Sequence, residues 1–297
     1  MIEYRYYEEL NAAQREEVLE LITAASNVDE TPPIAENVLL ALRYGSEKND
    51  RHLIATQDDR IAGYAHIDPT DLVEGPSTEL VVHPDFRSQG IGGCLLDEVR
   101  KYTEDSLRLW SHGDSESAQQ LAREHDFHKV RTVIQMRRSL IEPIPHADPA
   151  FTVRPFTPAD ADAWVALNNR AFEGHPEQSG WTTKDLEIRM AEEWFRPEGF
   201  LVAERDEKLI AFCWTKIHSL NPVGEIYIMA VDPDMHGAGI GRQILIAGLQ
   251  YLRSQIHSAM LYVDAENLVA QKLYKELGFT EWGRDVLYKI NKLSFTI

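Results

Sequence analysis

Short apolar runs and helical-period stretches alternate along this chain, and they do so twice in the same order. In the first half, strand-like runs fall at Ile2–Tyr7, His52–Thr56, Ile61–Ile67, Glu79–Val82 and Leu107–Ser111, with a longer one over Phe127–Arg138. Helical spacing predicts helices at Ala12–Ala25, Ala35–Tyr44 and Ser115–His125, and one carried by Ile91, Leu95, Leu96 and Val99. Strands follow in the second half at Phe151–Pro155, Phe200–Glu204, Leu209–Ile217, Ile226–Val231 and Met260–Val263, with terminal strands over Glu281–Lys292. Helices are expected from Thr157 to Ala171, from Thr183 to Trp194, along Ile240, Ile244, Leu245, Leu249 and Leu252, and over Leu268–Leu277. Thr157-Pro-Ala-Asp160 has the residues of a helix start: a capping threonine, a first-turn proline and an acid three positions on. Between the halves, Ile141 to Pro149 carries three prolines and should be an extended connector. This order of strands and helices predicts a mixed α/β sheet in each half.

The repetition extends to residue identities. Val82-His-Pro-Asp-Phe-Arg-Ser-Gln-Gly-Ile-Gly92 matches Val231-Asp-Pro-Asp-Met-His-Gly-Ala-Gly-Ile-Gly241, 149 residues later by the valines. Ala118–Phe127 matches Ala270–Phe279, 152 residues later by the phenylalanines. The chain therefore reads as a duplication: a domain over 1–140, a connector over 141–150 and a second domain over 151–297. Each glycine-rich copy sits where a strand turns into a helix. There the first helical N–H groups have no internal partner, and together with the helix dipole they favour an anion such as a pyrophosphate. A single Gly-x-Gly would read as tight packing; two in register favour phosphate binding. A dinucleotide fold fits poorly, because Arg242-Gln-Ile follows Gly241 with no third glycine. A Walker loop is excluded because no Gly-Lys-Ser/Thr follows.

Composition narrows the partners. With 297 residues and 43% hydrophobic content, two globular domains are each large enough for a core. No apolar run reaches membrane-spanning length, and the first residues lack the apolar core of a signal peptide. Cys94 and Cys213, one per half, read as buried free thiols and point to the cytoplasm. No His/Cys cluster has zinc spacing, so no metal is expected. A net charge of −18 argues against nucleic acid. It fits a cationic or amine substrate, although acidic surfaces most often serve solubility. The expected molecule is a monomer.

The loop is similar to the acetyl-CoA loop of the GNAT acetyltransferase superfamily, Arg/Gln-x-x-Gly-x-Gly/Ala. Arg87-Ser-Gln-Gly90-Ile-Gly92 matches fully, whereas the second copy has His236 at the first position. The resemblance implies two tandem GNAT acyltransferase domains with acetyl-CoA as cosubstrate. In the second half it implies cofactor contacts from the main chain of Met229, Ala230 and Val231, from His236, Gly237, Ala238, Gly239, Ile240, Gly241 and Arg242, and from Asn267 and Lys272. In the first half it implies them from Leu80, Val81, Val82, Ser88, Gln89, Gly90, Ile91, Gly92 and Gly93.

Acetyl transfer to an amine needs a base for the amine, donors for the oxyanion and an acid for the thiolate. The same resemblance makes Tyr274, in Tyr-x-x-Leu-Gly-Phe279, the expected acid; taken alone it would be a half-buried helix residue. Glu225 is the expected base; taken alone it would be a solvated strand-end carboxylate. By the 149-residue offset Glu225 aligns with Pro76, and by the 152-residue offset Tyr274 aligns with Ala122, so only the second half should turn over. Glu79 lies near but is expected on the opposite side of its strand. The first half should hold acetyl-CoA without reacting it.

The tandem arrangement with a silent first half resembles the mycothiol synthase family, through Gly174-His-Pro-Glu-Gln-Ser-Gly-Trp181, Trp214-Thr-Lys-Ile-His218, Leu261-Tyr-Val263, Glu79–Pro84 and Ile134–Arg138. That family acetylates the cysteinyl amine of Cys-GlcN-inositol. The resemblance implies substrate contacts at Glu36, Glu177, Lys216, Glu225 and Tyr262. Read from residues alone, Glu36 is a solvated acid and Lys216 solvates a strand. Acetylation of another amine (an aminoglycoside or a protein N-terminus) and a non-catalytic acetyl-CoA-binding module both stay open at this level.

Overall fold

The computed structural model describes residues 2–45, 49–71, 74–103, 107–146, 150–175, 178–218 and 222–290. In chain order the elements are β1 (Ile2–Tyr7), α1 (Ala12–Asp29), α2 (Glu36–Tyr44), β2 (Arg51–Gln57), β3 (Arg60–Asp68), β4 (Ser77–Val82), α3 (Ile91–Thr103), β5 (Leu107–Ser111), α4 (Glu116–Glu124) and β6 (His128–Ser139). There follow β7 (Thr152–Pro155), α5 (Ala161–Ala171), α6 (Thr183–Met190), β8 (Phe200–Arg205), β9 (Lys208–His218), β10 (Val223–Val231), α7 (Ile240–Arg253), β11 (Ser258–Asp264), α8 (Leu268–Glu276) and β12 (Thr280–Ile290). The mixed α/β class and the repeated order agree with the sequence expectation. Thr157 and Asp160 do form a capping box, but around a 3-10 turn, and α5 starts only at Ala161. Helix α6 stops at Met190 rather than Trp194. The chain turns there and places the Trp194 ring 5.0 Å from Tyr227 and 5.9 Å from Trp214.

The chain forms two compact units. One comprises the residues up to Val133 and those from Gly283 on; the other is Ile134–Trp282. In the first, the strand order is β1-β2-β3-β4-β5-β12, and in the second it is β6-β11-β10-β9-β8-β7. The repeat in sequence predicts a division into 1–140 and 151–297. The compact units depart from it, because each takes its last strand from the other half of the sequence. Val286 and Tyr288 of β12 are buried in the first unit's core, and Val286 pairs with Ser111 of β5. Ile134 and Met136 of β6 are buried in the second unit's core, and the Leu140 N–H donates to the His257 carbonyl at 2.8 Å.

In the second unit, α7 and α8 cover one face of the sheet and α5 and α6 the other. The helical stripe read from sequence, Ile240, Ile244, Leu245, Leu249 and Leu252, is buried throughout. Burial of such side chains is worth about 1.5–3 kcal/mol each. A Cβ on Gly248 would stand 2.4 Å from the Cys213 sulfur, so this glycine lets α7 lie close on β9. The opposite face is aromatic: Trp164, Phe200, Phe212 and Trp214 are fully buried. Cys213 is buried as expected, but Cys94 is exposed on α3, which corrects the expectation of two buried thiols. It lies outside the apolar stripe of Ile91, Leu95, Leu96 and Val99. No helix among the described residues is long and apolar enough to cross a membrane, and no His/Cys/Asp/Glu group among them could hold a metal ion.

Candidate active site

The second unit's site is organised by two strands that part. Strands β10 and β11 run parallel but pair only at Gly224↔Ala259, Glu225↔Met260 and Ile226↔Leu261. Beyond that, β10 keeps its antiparallel ladder with β9 as far as Val231↔Ala211. The Asp232 N–H donates to the Ile210 carbonyl at 2.8 Å. Antiparallel bonding alternates residue by residue, so Ala230 also points its N–H toward β9, while Met229 and Val231 point theirs into the gap left by β11. The first unit repeats this. Strands β4 and β5 pair only at Ser77↔Arg108 and Thr78↔Leu109, and the His83 N–H donates to the Ala62 carbonyl at 2.9 Å. There Leu80 and Val82 face the gap and Val81 does not.

The glycine-rich loop closes the end of each gap. Gly237 and Gly239 hold φ of +80° and +75°, and Ser88 and Gly90 hold +60° and +79°. A Cβ on Gly239 or Gly90 would meet nothing within 4 Å, so the glycines are required by the left-handed backbone and not by crowding. His236, Gly237, Ala238 and Gly239 are exposed, as are Ser88, Gln89 and Gly90. Helices α7 and α3 then begin at Ile240 and Ile91, and the N–H groups of Ile240, Gly241 and Arg242, like those of Ile91, Gly92 and Gly93, lie in the first turn, where no internal carbonyl reaches them. This geometry fits a pyrophosphate in both copies. The first motif position keeps one contact despite its change of residue. Arg87 Nε donates to the Val82 carbonyl at 3.3 Å, and His236 Nε2 lies 3.2 Å from the Val231 carbonyl. Arg87 also makes a two-pronged pair with Asp29 at 2.7 Å for each contact.

Glu225 is buried, and its Oε2 lies 2.6 Å from His218 Nε2. Burial pushes its carboxyl up, but the His218 hydrogen bond, with Lys216 nearby, outweighs this and holds it below the usual carboxylate value. Glu225 pairs with Lys216 across the β9–β10 ladder and with Met260 across the parallel one. Ile226 and Leu261 enter the α7/α8 core, so Glu225, Lys216, His218 and Tyr262 lie on the other face, that of α5 and α6. On that face Lys216 Nζ stands 4.6 Å from the Trp194 ring centre and 5.3 Å from that of Tyr227. Tyr262 is part-exposed, and its hydroxyl accepts from Gln135 at 3.0 Å. Tyr274 comes from α8, on the opposite face, and is buried with Phe279 at 6.0 Å between ring centres. Burial pushes its hydroxyl well above the ordinary phenol value, with Cys213 adding to it. The gap beyond Ile226 is where groups from the two faces can meet.

Two sequence alignments need correction, both because of one residue. The β9–β10 register shifts between Ile226 and Ile228, so Tyr227 is an extra, bulged residue. Counting back through ladder partners, Glu225 corresponds to Ser77 and not to Pro76. The same bulge reverses the parity argument: Glu79 corresponds to Ile228 and lies on the face equivalent to that of Glu225. There it is buried, accepting the Ala35 N–H at 2.6 Å.

The remaining expected contacts are dispersed. Asn267 caps α8, accepting the Ala270 N–H at 3.0 Å, as Ser115 caps α4. Lys272 is exposed on α8, and Arg242 pairs with Glu276 at 3.0 Å. Glu36 opens α2 in the first unit, and Glu177 lies outside the described residues. The sequence reading missed His218, although Lys216-Ile-His218 has the two-residue spacing that puts both side chains on one strand face.

These parted strands, glycine loops and opposed side chains define a tandem GNAT acetyltransferase. Family models agree: the Acetyltransferase (GNAT) family matches residues 162–279, and the Acetyltransferase (GNAT) domain matches 48–129. A tandem GNAT protein of the clavulanic acid biosynthesis pathway shares the fold at TM-score 0.74, with 15% identity and 98% of each chain covered. More specifically, the chain belongs to the mycothiol acetyltransferase family. It is 46% identical to the mycothiol acetyltransferase of Acidothermus cellulolyticus, covering 92% of this chain and 90% of that one. It is 44% identical to that of Thermobispora bispora, covering 93% and 95%. Membership makes the chain an acetyl-CoA-dependent N-acetyltransferase.

Proposed function

We propose that the second unit transfers the acetyl group of acetyl-CoA to the cysteinyl amine of Cys-GlcN-inositol, completing mycothiol. The observation that carries this is the placement of Glu225, Lys216 and Tyr262 on one face of the parted strands, with Tyr274 buried on the other. The loop N–H groups of Gly239, Ile240 and Gly241 hold the pyrophosphate, with Asn267 and Lys272 alongside. The Met229 and Val231 N–H groups hold the acyl arm and meet the oxyanion as it forms. Glu225 is the carboxylate on the amine's side, and Lys216 and Tyr262 hydrogen-bond the hydroxyl-rich acceptor. Tyr274 keeps its proton until the thiolate leaves, as its raised hydroxyl favours. The first unit keeps the complete loop and the free Leu80 and Val82 N–H groups but has Ser77 and Ala122 where Glu225 and Tyr274 stand. It binds acetyl-CoA without turnover. We read the enzyme as a cytoplasmic monomer, which light scattering at working concentration checks.

The test is acetyl transfer from acetyl-CoA to Cys-GlcN-inositol with the product identified by mass, and with cysteine, glucosamine and an aminoglycoside as control amines. Turnover confined to Cys-GlcN-inositol supports the reading. Preference for a control amine replaces the substrate and leaves the reaction class standing.

A further inference from the structure

The carboxylate on the amine's side has a partner that the repeat does not supply and the motif reading did not use. His218 ends β9, on the same strand face as Lys216, and its Nε2 lies 2.6 Å from Glu225 Oε2. The two side chains differ in access: that of Glu225 is 9% exposed and that of His218 is 30%. The imidazole therefore stands on the outer side of the carboxylate, with Nδ1 on the ring edge turned from it. At the corresponding place, just past the end of β3, the first unit has Thr70, two residues beyond Asp68, which itself pairs with Ser77.

Chemistry separates the two groups further. An α-amino group has a reference pKa of about 7.7–8.0. A buried carboxylate held in its charged form by a donor is a poor match for that proton, and proton transfer is most efficient when the acceptor's pKa lies near the working pH. An imidazole meets that condition. A carboxylate bonded to one of its nitrogens fixes the tautomer and stabilises the imidazolium that forms, the division of labour between histidine and aspartate in hydrolase triads.

We propose that His218 is a further catalytic residue: its Nδ1 accepts the proton of the attacking amine, directly or through one water, while Glu225 orients the ring through Nε2. The proposal rests on the acetyl-transfer reading of this site. The step balances. The bond from the amine nitrogen to the acetyl carbon forms and the carbon–sulfur bond breaks. The amine proton ends on Nδ1, and the thiolate takes the Tyr274 hydroxyl proton. The part-exposed imidazolium then returns its proton to solvent, from which Tyr274 is reprotonated. Among the described residues, the charged groups on this face include Glu225 on β10, Lys216 on the same strand as His218, and Arg189 of α6, whose Nε lies 3.2 Å from the Tyr227 hydroxyl.

The experiment is the pH profile of kcat/KM for Cys-GlcN-inositol above pH about 5.5, in wild type and His218→Gln. If His218 and the amine must both be unprotonated, the acid limb of log kcat/KM steepens to a slope of two in wild type. Glutamine can still donate to Glu225 but offers no basic nitrogen. In His218→Gln the slope falls to one and kcat drops about 100-fold or more, while acetyl-CoA affinity stays within twofold. Added imidazole should restore part of the rate. A wild-type acid limb of slope one overturns the proposal without recourse to any variant, as does a His218→Gln enzyme within threefold of wild type with an unchanged profile. Wild type inactive on every amine tested would instead sink the acetyl-transfer reading, and this proposal with it.

Discussion

At the residue scale, two buried glutamates on equivalent faces of the two units serve different ends. Glu225 meets an imidazole at the mouth of the gap, whereas Glu79 ties elements together. Its Oε2 accepts the Ala35 N–H at the start of α2 and stands 3.4 Å from His112 Nε2, while His112 Nδ1 lies 3.2 Å from Asp285. Glu225→Ala should therefore cut turnover by about 100-fold or more with little loss of stability. Glu79→Ala should unpair a buried charge, costing about 3–5 kcal/mol in denaturant melts. Equal loss of turnover in well-folded forms of both would count against Glu225 as the carboxylate that serves the reaction. Burial alone would lower the His112 pKa, but hydrogen bonding to Asp285 and Glu79 overrides it and raises it to about 10. The folded protein thus holds a proton that the unfolded chain releases near 6.5. That contribution is complete below about pH 6.5 and fades as the pH rises toward 10. Urea midpoints should fall over this window in wild type and fall less in His112→Gln; parallel curves would refute the role. Tyr274→Phe removes only the hydroxyl, so kcat should drop at least tenfold, with acetyl-CoA affinity nearly unchanged by calorimetry. An unchanged kcat would remove Tyr274 as the acid. The contrast between Tyr274 and the aligned Ala122 was legible because a duplicated chain contains its own control, whereas for Glu225 that control was misaligned by one residue, Pro76 standing in for Ser77. Glu79 was misjudged because parity counting assumes an unbroken ladder, and nothing in Ile226-Tyr227-Ile228 marks the bulge.

At the element scale, the strand–loop–helix unit is the part most fully readable from sequence. The apolar run, the glycines and the helical stripe each have one physical meaning, and they occur twice in register. What sequence could not show is which main-chain N–H groups face the gap; that is set by pairing with β9 and β3, and it selects Met229 and Val231, Leu80 and Val82. The loop's function can be tested separately in each copy. Gly239→Ala forces a Cβ into the left-handed region at about 1–2 kcal/mol without a clash. It should weaken acetyl-CoA binding in the second unit about fivefold to thirtyfold and lower turnover at subsaturating acetyl-CoA. Gly90→Ala should leave turnover within twofold and weaken one of two sites in a calorimetric titration. A single site in wild type that Gly90→Ala leaves untouched would show that the first loop binds no acetyl-CoA.

At the scale of the whole molecule, the repeat in sequence and the units in space do not coincide. The duplication is legible because aligned residues mark related segments. It is silent on which segment fills which sheet, since the apolar alternation of β6 and β12 would suit either edge. In the structure, β5 is paired along Leu107–Ser111 by Ile290–Val286 of β12, whose Val286 and Tyr288 complete the first unit's core. The second unit in turn relies on Ile134, Met136 and Leu140, and on Arg138, which donates to the Leu277 carbonyl just after α8. A fragment cut at the connector, 1–145, therefore lacks the strand that covers β5, and 146–297 lacks the one that neighbours β11. Each would expose an unpaired strand edge and an opened core, a condition that favours aggregation. The expectation is that neither fragment alone gives a cooperative melt, whereas co-expression of the two recovers acetyltransferase activity, because the strands can be exchanged between chains as they are within one. Two fragments that fold independently, with native-like melting and an active 146–297, would show that each half completes its own sheet and that the exchange is dispensable.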